Sequence, residues 1–147
     1  MKNNSALFYT CSLIEFIGRK QKLKRSQLVG LMGRKAIARI YRYADVLHCE
    51  PIEKTADDAI TNFNLPTGTF DNAAACRYTV PDYWAIGEVY ERLIEDVSGD
   101  DTEHIIDRLM EVYTSWIDAV ISNYNTDFYY QSREYIYTCY MEGKICA

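Results

Sequence analysis

Apolar residues recur at helical spacing along most of the chain, and no segment sustains the alternation that is typical of a β-strand. The pattern predicts an all-α fold, a compact bundle of about six or seven helices. The expected helices cover residues 5–20, 26–32, 34–48, 51–62, 82–97, 102–123 and 132–141. Gly33 is expected to end the second helix, because glycine readily takes the backbone conformation that closes a helix.

The longest stretch without helical spacing lies at residues 63–82. Prolines, a glycine and an Asp-Asn pair punctuate it, and such residues favour turns and loops. We predict one long irregular connection here, within a single helical domain that spans residues 1–147. Two subdomains, residues 1–62 and 82–147, are the alternative.

The composition is that of a globular domain. Of 147 residues, 48% are hydrophobic and 25% are charged, so the chain has enough apolar residues to form a buried core. No apolar run approaches the ~20 residues that cross a bilayer, and Glu15 interrupts the apolar stretch near the N terminus. We therefore expect neither a membrane span nor a signal peptide. The five cysteines are scattered and form no CxxC motif, which favours a cytoplasmic location.

Charge is divided sharply along the chain. Residues 1–42 carry ten Lys/Arg and one acidic residue, a formal charge of +9, whereas residues 43–147 carry six Lys/Arg and twenty Asp/Glu, or −14. Such a division acts on binding partners through the electric field of the surface and does not by itself determine a fold. The basic segment is therefore the first candidate for a binding surface.

We predict a basic partner-binding face in the first third of the chain. Its members are Arg19, Lys20, Lys22, Lys24, Arg25, Arg34, Lys35, Arg39 and Arg42. A short helix, a glycine turn and a basic helix follow one another here in a helix-turn-helix outline, so a DNA-binding regulator is one interpretation. The other interpretation is that the basic face pairs with the acidic part of the chain, within one molecule or across a homodimer.

Tyrosines form a second candidate surface. Seven of the thirteen tyrosines fall between residues 113 and 140. Tyrosine is enriched at protein interfaces, because its ring gives apolar contact area and its hydroxyl group gives a polar end. The predicted partner-binding aromatic cluster comprises Tyr129, Tyr130, Tyr135, Tyr137 and Tyr140. The alternative is that these rings form the half-buried shell of a small helical bundle.

The sequence carries no recognisable catalytic or cofactor motif. Its two histidines, His48 and His104, lie far apart in sequence, and the acidic stretch 98–107 lacks the ligand spacing of a calcium loop. Gly30 and Gly33 are not followed by the Gly-Lys-Ser/Thr of a phosphate-binding loop. We therefore predict a protein that is not an enzyme and that holds neither metal nor cofactor.

Residues 5–60 contain an opening apolar helix, SALFYTCSLIEFIGRK, and the later segment IYRYADVLHCEPIEKTADDAI, with its Leu47-His48 and Asp57-Asp58 pairs. In these features the chain resembles a family of short helical bacterial proteins encoded beside ADP-ribosyltransferase-like toxins. The segments YTVPDYWAIGEVYERLIEDV and YIYTCYMEGKI look like companion proteins from the same gene neighbourhoods. The resemblance implies an antitoxin or accessory protein and assigns no catalytic residue.

The expectation from the sequence is a non-enzymatic protein-binding component of a bacterial toxin–antitoxin or defence module. Its partner would be an ADP-ribosyltransferase-like toxin, which it would neutralise by masking an active surface. The alternative is a DNA-binding regulator that uses the basic residues between Arg34 and Arg42. The two functions are compatible, since antitoxins can also bind their own operon.

Overall fold

The computed structural model describes residues 4–146, and every regular element among them is helical. The helices are α1 (Ser5–Gln21), α2 (Arg25–Arg42), α3 (Ala44–Leu47), α4 (Ile52–Asn62), α5 (Asn72–Ala75), α6 (Tyr83–Ser98), α7 (Ile105–Tyr113), α8 (Ile117–Ile121) and α9 (Arg133–Glu142). The predicted all-α bundle is confirmed, and the long connection at 63–82 contains only the single turn of α5. Among residues 4–146, no helix combines the length and the hydropathy needed to traverse a lipid bilayer.

Helix α1 packs along α6 and α2 and also contacts α3 and α4. It is buried on nearly every side, as expected for a helix with apolar residues around its whole circumference. Gly87 permits the close approach of α6, because a Cβ atom at that position would lie 2.2 Å from the Oγ of Ser12. Buried side chains from all parts of the chain join one contiguous cluster around α1.

Helix α2 is divided at Gly33, whose φ of 86° and ψ of 159° interrupt the helix. This confirms the predicted boundary, at a position where glycine lacks the Cβ atom that would strain a positive φ. The first half of α2 buries Leu28 and Met32, whereas Ile37 is the buried residue of the second half, residues 34–42. The second half therefore leaves a wide face outside the core.

The prediction of one helix over residues 102–123 is wrong. The chain forms α7 and α8 there, separated at residues 114–116. The hydroxyl groups of Thr114 and Ser115 donate to main-chain carbonyl oxygens one turn earlier, at 2.6 and 2.7 Å. Such side-chain hydrogen bonds compete with the main-chain N–H groups of a helix and favour its interruption.

The prediction of one helix over residues 34–48 is also wrong. Tyr43, with φ −105° and ψ 16°, leaves the helical conformation after α2 ends at Arg42. Helix α3 then turns towards α1 and buries Ala44. This bend positions α3 beside the second half of α2.

Glu15 and Arg25 form an ion pair inside the bundle, with side-chain exposures of 1% and 0%. The Nε of Arg25 donates to Oε1 of Glu15 at 3.0 Å, and its Nη2 donates to Oε2 at 3.1 Å. Oε2 also accepts hydrogen bonds from the Nε of Arg19, at 3.0 Å, and from the hydroxyl group of Tyr124. Burial alone would raise the pKa of Glu15, but the two arginines and the hydroxyl group outweigh it and hold that pKa below its ordinary value.

The other donors of Arg25 are also used. Its Nη1 donates to the carbonyl oxygen of Leu23 at 2.7 Å, and its Nη2 donates to Oδ1 of Asn72 at 3.1 Å. The amide nitrogen of Asn72 donates in turn to the carbonyl oxygen of Ser122 at 3.0 Å. Gly18 leaves space for the arginine, because a Cβ atom there would lie 2.3 Å from the Cδ of Arg25. The network thus joins α1, the start of α2, α5 and the end of α8.

Replacing Arg25 with methionine should lower the free energy of unfolding by about 3 kcal/mol or more, because it leaves the buried carboxylate of Glu15 with only part of its partners. Urea denaturation measures the change. Lys24→Met is the matched control, since Lys24 is adjacent and exposed and forms no ion pair with an acidic residue among residues 4–146. Equal losses in the two variants would contradict the structural role of the ion pair.

Candidate functional site

A groove lies between the second half of α2, α3 and α4. Its volume of about 520 Å³ is within the ~300–1,000 Å³ that is usual for ligand-binding sites. The lining residues are Ala36, Arg39, Ile40, Tyr43, Val46, Leu47, Thr55, Asp58, Ala59, Asn62 and Phe63. The lining is therefore mainly apolar, with Arg39 and Asp58 as its charged members.

Three large apolar side chains of the groove are exposed to solvent. Tyr43 is 46% exposed, Val46 is 62% exposed and Phe63 is 39% exposed. Grouped apolar side chains of this kind mark interaction surfaces, because covering them removes apolar area from water. None of the three is among the binding residues predicted from the sequence. Val46 could have been identified from the sequence, because it is an apolar residue that lies outside the core-facing stripe of the predicted helix 34–48.

Lys35, Arg39 and Arg42 form a basic stripe beside the groove. Their spacing of four and then three residues places them on one face of the second half of α2. All three are exposed, and none forms an ion pair with an acidic residue among residues 4–146. Asp58, across the groove on α4, is bonded to Lys54 at 3.2 Å. The unpaired charge of α2 at the groove is therefore positive, whereas α3 carries one exposed acidic residue, Asp45, that also forms no ion pair among residues 4–146.

Two members of the predicted basic face lie inside the protein. Arg25 is completely buried in its ion pair with Glu15, so its assignment to a partner-binding surface is wrong. Arg19 is 19% exposed and donates to Glu15, to the carbonyl oxygen of Pro81 and to the hydroxyl group of Tyr124. Its assignment is wrong for the same reason, since its donors are used within the fold.

Four further members lie outside the basic stripe. Lys20 pairs with Asp57 at 3.1 Å, and the Nε of Arg34 lies 2.5 Å from Oδ1 of Asp107. Lys20 and Arg34 are therefore paired with acidic residues from the acidic part of the chain. Lys22 and Lys24 are exposed in the connection between α1 and α2. The nine basic residues therefore do not make one surface.

The predicted aromatic cluster is also divided. Tyr130 is 84% exposed and its ring lies 6.4 Å from that of Tyr129. The remaining members, Tyr129 included, are half-buried and pack against the core. Tyr135 contacts Phe128, with ring centroids 6.0 Å apart, whereas Tyr137 lines an acidic surface depression beside Glu95. The half-buried shell, the alternative interpretation, describes most of these rings.

Glu91 and Glu95 are neighbouring carboxyl groups on α6, 6% and 8% exposed. Glu95 accepts a hydrogen bond from the backbone N–H of Asn4 at 2.9 Å and pairs with Arg133 at 3.3 Å. Burial, followed by the hydrogen bond and the repulsion from Glu95, raises the pKa of Glu91 to about 8. Glu91 therefore holds a proton at neutral pH, which lets the two carboxyl groups share one site. The sequence analysis did not identify this pair.

The part of the chain that the structure describes contains no set of metal ligands. Within residues 4–146, no three His, Cys, Asp or Glu side chains are grouped so that they could hold a metal ion. His104 contacts Asp101 at the surface, with Nδ1 and Oδ1 3.0 Å apart. Comparisons of the chain with protein-family models, with curated proteins and with solved structures found no match. The groove and its basic stripe are therefore the features on which a functional proposal can rest.

Replacing Glu91 with glutamine should change how stability depends on pH. In the folded protein the pKa of Glu91 is about 8, against an ordinary value of 4.5. Its stabilising contribution is therefore complete below pH 4.5 and is lost progressively as the pH rises to about 8. Glutamine cannot ionise, so the variant should lose less unfolding free energy than the wild type between pH 5 and pH 8.5, by up to about 4 kcal/mol, since a difference of one in pKa corresponds to about 1.4 kcal/mol.

Urea denaturation at these two pH values measures the difference. Glu142→Gln, an exposed carboxyl group at the end of α9, is the control and should follow the wild type. A Glu91→Gln variant with the wild-type pH dependence would show that Glu91 ionises normally in the folded protein.

Proposed function

We propose that this protein is a non-enzymatic binding component that holds an acidic amphipathic helix of a partner protein in the groove. The observation that carries the proposal is the exposure of Tyr43, Val46 and Phe63 in one apolar depression. An amphipathic helix binds such a depression with apolar side chains spaced by three and four residues. The shallow groove suits a helix better than a small molecule, which would leave much of Val46 in water.

Charge defines the partner further. The basic stripe of Lys35, Arg39 and Arg42 runs beside the groove and lacks acidic partners within the described chain. A helix with acidic residues flanking its apolar side would pair with the stripe while its apolar residues enter the groove. Complementary charge mainly speeds association and excludes wrong partners, whereas the apolar contacts supply most of the affinity.

The family resemblance of residues 5–60 supports a biological setting. It points to a toxin–antitoxin or related defence module, in which the partner is an ADP-ribosyltransferase-like toxin. All the residues that line the groove except Asn62 and Phe63 lie within residues 5–60, the segment that carries the resemblance. In this setting the protein would neutralise the toxin by occupying one of its surfaces, and no catalytic step would be needed.

A substitution in the groove should weaken partner binding. Val46→Lys places a charge where the proposal needs apolar contact, and we expect the affinity for the partner to fall about 30-fold or more, the effect of a hot-spot residue. Val46 is 62% exposed, so the fold should be unaffected. The measurement is a tagged pull-down from the native host after nuclease treatment, followed by titration of the recovered partner.

Tyr130→Lys is the matched control, because Tyr130 is 84% exposed on a different part of the surface. A photo-crosslinking amino acid at position 46 then identifies the segment that enters the groove. An acidic helical segment of another protein supports the proposal. A crosslink to a second copy of this chain would make the groove a dimer contact, and a partner retained by Val46→Lys but lost by Tyr130→Lys would refute the groove.

The basic stripe also supports the second candidate function, a DNA-binding regulator. Three unpaired cations on one helix face, directly after the turn at Gly33, could contact successive phosphates. Reversal of charge in Arg39→Glu/Arg42→Glu should then reduce DNA affinity and flatten its dependence on salt. Val46→Lys separates the two functions, because it adds a positive charge and should not weaken binding to DNA.

A further inference from the structure

Two of the five cysteines lie side by side at the end of α9. Cys139 is completely buried in α9, and Cys146 is half-buried beyond the helix. The backbone N–H of Cys146 donates a hydrogen bond to the Sγ of Cys139 at 3.2 Å. The two residues are therefore in direct contact, although seven positions separate them in sequence.

A turn at Gly143 produces this contact. Gly143 has a φ of 77° and ends α9 in the left-handed conformation, so that the chain reverses. The N–H groups of Gly143 and Lys144 both donate to the carbonyl oxygen of Cys139, at 2.9 and 3.2 Å. The hydroxyl group of Tyr135 donates to the carbonyl oxygen of Cys146 at 2.6 Å. These bonds hold Cys146 over Cys139.

We propose that Cys139 and Cys146 are a modification site, a thiol pair that closes to a disulfide when the protein meets a low-molecular-weight disulfide such as glutathione disulfide. The 3.2 Å hydrogen bond, together with the ~2.5 Å between the backbone nitrogen and the Cβ atom of one residue, places the Cβ of Cys146 within about 5.7 Å of the Sγ of Cys139. Rotation of Cys146 about χ1, with movement of the segment after Gly143, would bring the two sulfur atoms to bonding distance while α9 stays in place.

The reaction proceeds by two thiol–disulfide exchanges. The more exposed Cys146 attacks first as its thiolate, forming a mixed disulfide with one glutathione and releasing the other as a thiolate. The sulfur of Cys139 then attacks the Cys146 sulfur, forms the intramolecular bond and displaces the second glutathione. Two electrons pass from the protein thiols to glutathione disulfide, and the two thiol protons end on the two released glutathione molecules at neutral pH.

The pH dependence of the first step follows from the surroundings of Cys146. Hydrogen bonding to Cys139, followed by burial, raises the pKa of the Cys146 thiol, and the charges nearest to it are those of Glu142 and Lys144. The thiolate is the reacting form, so closure should be slow at neutral pH and faster as the pH rises.

Closure would fasten the segment that follows α9. Ile145 lies between Cys139 and Cys146 in the sequence. It borders a cavity of about 300 Å³ beside Phe128 and Tyr135. A bond between residues 139 and 146 would fix Ile145 at that cavity. None of these residues lines the groove, so this inference stands independently of the proposed function.

The test uses the native full chain, glutathione disulfide, acid quenching and tryptic digestion without reduction. Trypsin cleaves after Arg133 and Lys144, so Cys139 and Cys146 fall in different peptides that only a disulfide can join. We expect one pair of linked peptides, loss of the free thiols of Cys139 and Cys146, and about tenfold more linked product than mixed disulfide at Cys146, because the second step is intramolecular. The linked product should vanish in Cys146→Ser and persist in Cys49→Ser and Cys76→Ser.

Denatured chain in concentrated urea is the reference, and there several pairings should compete. A stable glutathione adduct at Cys146 with Cys139 still free would overturn the proposal. So would a bond from Cys146 to another cysteine, or the absence of any reaction at Cys146 under conditions that modify the exposed Cys49. Mass spectrometry of the linked and unlinked peptides separates these outcomes.

Discussion

A carboxylate in the interior of a helical bundle is tolerated only when positive charge and hydrogen-bond donors surround it, since burial removes its hydration. Glu15 meets this condition through Arg25, Arg19 and Tyr124, which come from three separate parts of the chain. Each of these three side chains must place a hydrogen-bond donor next to the same carboxyl group. The ion pair therefore constrains how α1, the start of α2 and the segment after α8 are placed, beyond what apolar packing alone would specify.

This internal use of charge changes how the basic segment should be interpreted. Counting Lys and Arg treats every cation as a surface charge, yet Arg19 and Arg25 neutralise Glu15 inside the fold. Others are paired at the surface with the acidic part of the chain. The exposed cations of this segment that form no ion pair among residues 4–146 are Lys22 and Lys24, in the connection between α1 and α2, and the basic stripe of Lys35, Arg39 and Arg42. The stripe is the larger group, and it covers much less of the surface than the charge division along the sequence implied.

The helices were predictable because their apolar residues repeat with the helical period, and the break at Gly33 was predictable because glycine alone takes a positive φ without strain. The breaks at Tyr43 and at residues 114–116 were not, because local side-chain hydrogen bonds and tertiary contacts decide them. The groove and the Cys139–Cys146 contact depend on those bends and turns. In a continuous helix two residues seven apart are separated by about 10.5 Å, so only the reversal at Gly143 brings the two cysteines together.

The bend at Tyr43 also explains why apolar side chains remain in water. Ending α2 there lets α3 bury Ala44 against α1 and leaves Tyr43 and Val46 beside α4, where nothing within residues 4–146 covers them. Polar residues at these positions would cost the fold little, because Tyr43 is 46% exposed and Val46 is 62% exposed and neither belongs to the buried core. Stability therefore does not account for the apolar groove, whereas the partner that we propose would cover it. The basic stripe at its edge is the reason that we propose an acidic partner.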